Sequence, residues 1–208
     1  MTDNPPHRAR LAPADRHAQL LQCAVAALAE HGVARATHAH VAIRAGVSVA
    51  AVHSYFRTRD DLVHAALEQV STTMRAITFK VAAEKAGARA SLLRIVRDFD
   101  QAACATPETV KVWLDWSTGF RADVWDRYLV FEHAVQSDVG RILARGKRRH
   151  ELSKDLNVAA AARLFIGGGR TVALARFAGL SGREVNALIL HLVEGIVGFG
   201  NLDPHSIP

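Results

Sequence analysis

Histidine is the side chain best suited to exchanging protons near neutral pH or holding a metal, and this chain of 208 residues carries eleven. His7, His17, His31, His38 and His40 crowd toward its start. His38 and His40 stand two apart on an expected helix, so their side chains point about 200° apart and do not readily share a metal ion. His7, His17 and His31 show no ligand spacing. Cys23 and Cys104 lie far apart, and there is no CxxC. The run Gly167, Gly168, Gly169 follows no strand and lacks the lysine of a phosphate loop. No Ser/His/Asp or Cys/His constellation follows from spacing. An enzyme would need a titratable pair, and beside the aromatic cluster at 113–128 only Asp115 and Asp123 are candidates. The residue pattern points away from catalysis, and neither a cofactor nor a metal site is expected.

Charge points elsewhere. The net charge of +6 favours a polyanionic partner without demanding nucleic acid. Arg8 and Arg10 precede the first expected helix, and Lys147, Arg148, Arg149 and His150 read as a solvated loop between helices. Half of the residues are apolar, enough for a sizeable core. The two cysteines read as small buried apolar residues in a reducing cytoplasm. Residues 1–10 lack the apolar stretch of a signal peptide. The apolar region Val185 to Phe199 is interrupted by His191 and Glu194 and is too short to span a bilayer. A soluble, cytoplasmic protein with no membrane contact is expected.

The elements that must position these residues are all helices, so the fold class is all-α. Apolar residues recur at helical spacing, glycine and proline punctuate them, and no run alternates as a strand would. The spacing predicts helices over 13–31, 37–45, 48–55, 60–82, 90–104, 108–118, 122–145, 156–178 and 182–199. Two domains follow: residues 1–60, and a larger helical domain over 61–208.

The segment from Thr37 to Phe56, THAHVAIRAGVSVAAVHSYF, meets the demands of a helix-turn-helix in order. Thr37 can cap the first helix. Ala42 is small where two helices cross, and Gly46 sits where the turn needs a positive φ. Ser48 can cap the second helix, and Val47 and Val52 are apolar where that helix must pack inward. Spacing alone also permits an ordinary α-helical hairpin.

The run GVSVAAVHSYFRTRDDLV resembles the signature of TetR-family regulators. RARLAP at 8–13, HGVARATHAHVA at 31–42, SVAAVHSYFRTRDDLV at 48–63 and KVWLDWSTGFRADVW at 111–125 resemble the quorum-sensing master regulators of vibrios within that family. The likeness covers about the first 140 residues; the rest matches in helix pattern only. The resemblance implies a homodimer that binds double-stranded, pseudo-palindromic operator DNA. Ser48, Val49, Ala51 and Ser54 would approach base edges, and Thr37, Tyr55 and Arg59 would hold phosphates. Arg8 and Arg10 would form an arm in the minor groove. His53 and Ser54 depart from the vibrio pattern, and His53 is expected to pack and hydrogen-bond, or to donate to a phosphate.

In the second domain Trp113, Trp116 and Phe120 share a face at i, i+3, i+7 spacing, as core residues or as the wall of a ligand pocket. The resemblance implies a possible small apolar ligand held by Met74, Ile77, Trp113, Trp116, Tyr128, Val139 and Phe165. Gln136 would be its polar handle, with Arg75 at the entrance. The dimer interface would be built by the last two helices through Gly168, Ala173, Leu188, Leu192 and Ile196, whose spacing also suits an internal core. A ligand-free DNA binder and a protein-interaction module remain as alternatives.

Overall fold

The computed structural model describes residues 12–120 and 122–198, and Arg8 and Arg10 lie outside them. All regular structure among the described residues is helical, in the order α1 Pro13–His31, α2 His38–Ala45, α3 Val49–His53, α4 Arg59–Ala83, α5 Ala88–Ala105, α6 Pro107–Thr118, α7 Ala122–Arg148, α8 Val158–Phe177 and α9 Gly182–Val197. The chain divides into two compact units after Gln69, within α4.

In the first unit, α1 starts on Pro13, whose missing N–H costs nothing in a first turn, and ends at Gly32 with φ +82°. It buries Leu20, Ala24, Ala27 and Leu28. The start of α4 is held by a reciprocal cap: Asp61 Oδ2 accepts from the Thr58 N–H at 2.9 Å, and the Asp61 N–H donates to Thr58 Oγ1 at 3.0 Å. These bonds favour the charged carboxylate and hold the Asp61 pKa below its usual value. Leu62, Val63, Ala66 and Leu67 of α4 are buried in this unit, so it runs beyond the expected boundary at residue 60.

The second unit packs α5 to α9 and the last turns of α4 around Leu92, Ile142, Leu143, Val185 and Val193. Gly146 of α7 permits a close approach, since a Cβ there would lie 2.7 Å from Ala88 Cβ and 2.9 Å from Leu152 Cδ1. Asn157 caps α8, and Ser181 with Glu184 forms a capping box on α9. Arg176 of α8 donates to both carboxylate oxygens of Asp100 on α5, at 2.9 and 2.7 Å.

Three expectations change here. Cys104 is exposed and Cys23 is only half-buried, because neither falls wholly on its helix's inner face. Phe120 is 78 % exposed, since α6 stops at Thr118 and the i+7 position has left the helix. Half of the basic run at 147–150 is the end of α7 and half the turn after it, with Arg148, Arg149 and His150 exposed. Lys147 donates to the Leu156 carbonyl at 2.8 Å and Arg149 to the Lys85 carbonyl at 3.0 Å, so these cations satisfy backbone acceptors. α8 is long and apolar enough to cross a membrane. It also carries Arg163, Arg170 and Arg176 and turns Phe165 and Val172 into the core, as a packed bundle helix does.

Candidate functional site

The helix-turn-helix is assembled by local bonds. Thr37 takes an extended backbone (φ −135°) and its Oγ1 accepts from the His40 N–H at 3.5 Å. Gly46 ends α2 in the left-handed region at φ +65°, ψ 40°, which a side chain would strain. The Val47 N–H then bonds the Ala42 carbonyl at 3.1 Å, and Ser48 Oγ accepts from the Ala51 N–H at 3.1 Å to start α3. Val52 is fully buried and Ala42 nearly so, which seats α3 against α2.

α3 presents a small, mostly uncharged surface. Ser48, Val49, Ala50, His53 and Ser54 are exposed, and Ala51 is half-buried. Ser54 Oγ already donates to the Ala51 carbonyl at 2.7 Å but keeps its acceptor lone pairs. The His53 ring stacks on the His38 ring at 3.9 Å between centroids, and its Nδ1 meets the Arg57 carbonyl at 3.3 Å. His38, missed as a site residue, is buried and joins Phe56 O at 2.7 Å, so it ties α2 to the segment that follows α3.

Tyr55 is half-buried and shares a groove with Arg16, Pro13, Val47 and Ala51. Arg16 was also missed; its sequence signal is a basic residue in the first turn of α1, on the side that meets α3. Thr37 is half-buried and engaged as a cap. Arg59 does not present its guanidinium outward as a free cation. It donates to the Ala36 carbonyl at 3.0 Å and the Val33 carbonyl at 2.5 Å, which fastens α4 to the loop after α1.

The second unit holds a partly open, apolar cavity of about 60 Å³. Met74 and Ile77 of α4, Phe99 of α5 and Trp113 of α6 form part of its wall. Tyr128 and Val139 of α7 and Phe165 of α8 complete the expected set that lines it. Trp116 stands behind this wall, edge-on to Tyr128 at 5.6 Å and stacked on Phe131 at 5.7 Å, with its indole N–H on the Val124 carbonyl at 2.8 Å. Gln136 lies outside, in a surface groove with Leu129, Val130, His133 and Arg163. The charged residue in the cavity wall is instead Glu132, one helical turn earlier, which sequence spacing did not single out. Arg170 donates to Tyr128 Oη and, at 3.1 Å, to Glu132 Oε1. Burial pushes the Tyr128 phenol up to about 12, with the Arg170 charge opposing. Arg75 sits 3.7 Å from Asp138 rather than filling an entrance. The buried Asp138 carboxylate also accepts from Arg141 at 2.5 Å and Thr78 at 3.1 Å.

The residues expected at a dimer interface are mostly turned inward. Ala173 and Ile196 are buried within the single chain, and Leu192 fills the space over Gly168, where a Cβ would lie 2.3 Å from Leu192 Cδ1. Leu188 is half-buried against the same core. Within the single chain this set packs along an α8–α9 seam, with Gly168, Leu188 and Leu192 half-buried. The outer face of α8 instead exposes Leu164 and Leu174, at 69 % and 57 %, with Gly167 and Thr171 between them.

A capped helix-turn-helix in one unit and a helical bundle around an apolar cavity in the other define a helix-turn-helix regulator. The model of the bacterial regulatory proteins of the tetR family matches residues 20–66. The chain is 30% identical to the HTH-type transcriptional regulator LuxR of Vibrio harveyi over 145 residues, covering 70% of this chain and 71% of that protein. It therefore belongs to the TetR family of transcriptional regulators. Among solved structures, the Bacillus subtilis regulator FadR in complex with stearoyl-CoA superposes with a TM-score of 0.74 at 17% identity, over 88% of this chain and 98% of that one. A TetR-family regulator from Agrobacterium tumefaciens superposes with a TM-score of 0.77 at 16% identity, over 89% and 99%.

Proposed function

We propose that this chain binds a pseudo-palindromic DNA operator as a homodimer in the cytoplasm and that a small apolar ligand in the second unit modulates the binding. The supporting observation is the outward face of α3, where short side chains allow the helix backbone to approach base edges closely. Ser48, Val49, Ala51 and Ser54 contact bases, while Tyr55, Arg16 and the cap at Thr37 meet phosphates. Arg8 and Arg10 follow the backbone into the minor groove as an N-terminal arm. The protein acts by binding rather than catalysis.

One such unit covers a half-site, so two-fold symmetry is needed. The Leu164–Leu174 stripe, with Ala187 and Leu190 of α9, supplies an apolar face for a second copy. The double variant Leu164→Glu, Leu174→Glu is expected to sediment as a monomer and to bind full operators weakly. A dimer that survived both charges would place the interface elsewhere. The ligand, by preferring the state that does not bind DNA, shifts the population away from it.

Selection of sites from random duplex DNA, then titration of the enriched sequence at several salt concentrations, tests the DNA reading. A two-fold-related site with a steep salt slope supports it; no enrichment at low salt refutes it.

A further inference from the structure

Glu132 lines two spaces at once: the internal cavity and the groove between α7 and α8 that holds Gln136 and Arg163. It is the one residue common to both linings, and Arg170 holds its carboxylate in place. The groove measures about 480 Å³, against about 60 Å³ inside, and begins with the exposed apolar residues Leu129 and Val130. Gly169 adds slack to the inner wall, since a Cβ built on it meets nothing within 4 Å.

The polar groups divide in the same way. Inside, Thr78 already donates, and the remaining side chains on its helix's wall, Met74 and Ile77, are apolar. Around the groove, Arg163, His133 and Gln136 supply donors; Arg170 stands beside it on Glu132, whose carboxylate offsets one of the two guanidinium charges. Arg170 lies 5.7 Å from the Trp113 ring centre and 5.9 Å from that of Tyr128. Its Nε is buried and has no acceptor among the described residues. A buried guanidinium N–H without a partner is unfavourable, and an incoming anion relieves it.

We propose that the ligand of the second unit is an amphipathic monoanion, a medium-chain aliphatic carboxylate. It enters through the α7–α8 groove, displaces Glu132 from Arg170, lays its tail in the cavity and leaves its carboxylate on Arg170 at the mouth. This rests on reading the second unit as ligand-responsive, and it adds the ligand class, the route and the residue that reads the head group. An aliphatic tail suits the cavity because flexible walls such as Met74 and Ile77 part for a thin chain more readily than for a fused ring system.

The test titrates the full-length protein with sodium decanoate below its micellar concentration, followed by calorimetry and by the emission of Trp113 and its neighbours. Decan-1-ol and decyltrimethylammonium are the comparison probes. Decanoate is expected to bind once per chain and more tightly than either. Arg170→Gln should weaken decanoate roughly tenfold or more while leaving decanol within about threefold. Glu132→Gln, which removes the competing carboxylate, should tighten decanoate, and Gly169→Leu should abolish binding by filling the cavity. Should Arg170→Gln misfold, the exposed Arg163→Gln carries the head-group test with an expected several-fold loss. Binding of the alcohol or the cation as tight as that of decanoate, or no decanoate binding, overturns the proposal. So does decanoate binding indifferent to both the arginine changes and the cavity filling. Parallel operator titrations keep the two readings apart: loss of decanoate binding with DNA binding intact sinks this inference alone, and the reverse sinks the regulator reading alone.

Discussion

Arg59→Ala separates two roles that a single arginine could play next to a recognition helix. If its guanidinium fastens α4 to the Val33 and Ala36 carbonyls, its removal leaves two acceptors without their donor. Each bond from a charged donor contributes roughly 1.5–3 kcal/mol when buried. The side chain is 32 % exposed, so water replaces part of this, and about 2 kcal/mol for the pair is a fair discounted figure. For a chain of this size, that lowers the melting temperature by roughly 4–8 °C. Thermal unfolding followed by circular dichroism at 222 nm reads the loss. Operator titrations across a salt series read the other role, because each lost phosphate contact flattens the salt slope by about 1. The expected result is a lower melting temperature with the slope unchanged. Arg57→Ala, on an exposed neighbour, is the control that should leave the melting temperature within about 1 °C. An unchanged melting temperature for Arg59→Ala, together with a slope flatter by about 1, would refute the internal clamp and restore Arg59 to the phosphates.

Tyr55→Ala should weaken binding to all DNA sequences and flatten the salt slope, whereas Ser54→Asn should change sequence preference in a site-selection experiment with little effect on the slope. Gly146→Ala should destabilise the second unit by about 1–3 kcal/mol in urea unfolding, because the added methyl meets Ala88 Cβ at 2.7 Å, a group that cannot rotate away. Alkaline titration followed by tyrosinate absorbance should show a step at about 12 that Tyr128→Phe removes. Since burial raises this pKa in the folded state, the stability linked to neutral Tyr128 is fully present below pH of about 10 and is lost as pH rises toward 12.

Local chemistry was legible in the residues themselves. Thr37, Gly46 and Ser48 act through capping bonds and a positive φ that span three or four residues, so their order along the chain was enough to place α2, the turn and α3. The family followed from the same stretch, and the helix ends from proline, glycine and capping residues. What periodicity could not decide was which of several apolar stripes a helix turns inward. α8 is apolar on nearly every side, so Ala173 and Leu174 were equivalent as types, yet the first is buried and the second 57 % exposed. On α7, Gln136 and Glu132 lie one turn apart on the same side, and the packing of α8 across them put Glu132 in the cavity wall and Gln136 outside it. Arg59 needed a partner twenty-six residues away, the Val33 carbonyl, before its role differed from that of any other basic residue near DNA. The sequence determined the helices, the turn and the family because those depend on neighbours within a turn or two. Tertiary structure alone decided the inward faces, the cavity mouth and the fate of each arginine, because burial and hydrogen-bond partners belong to groups that only folding brings together.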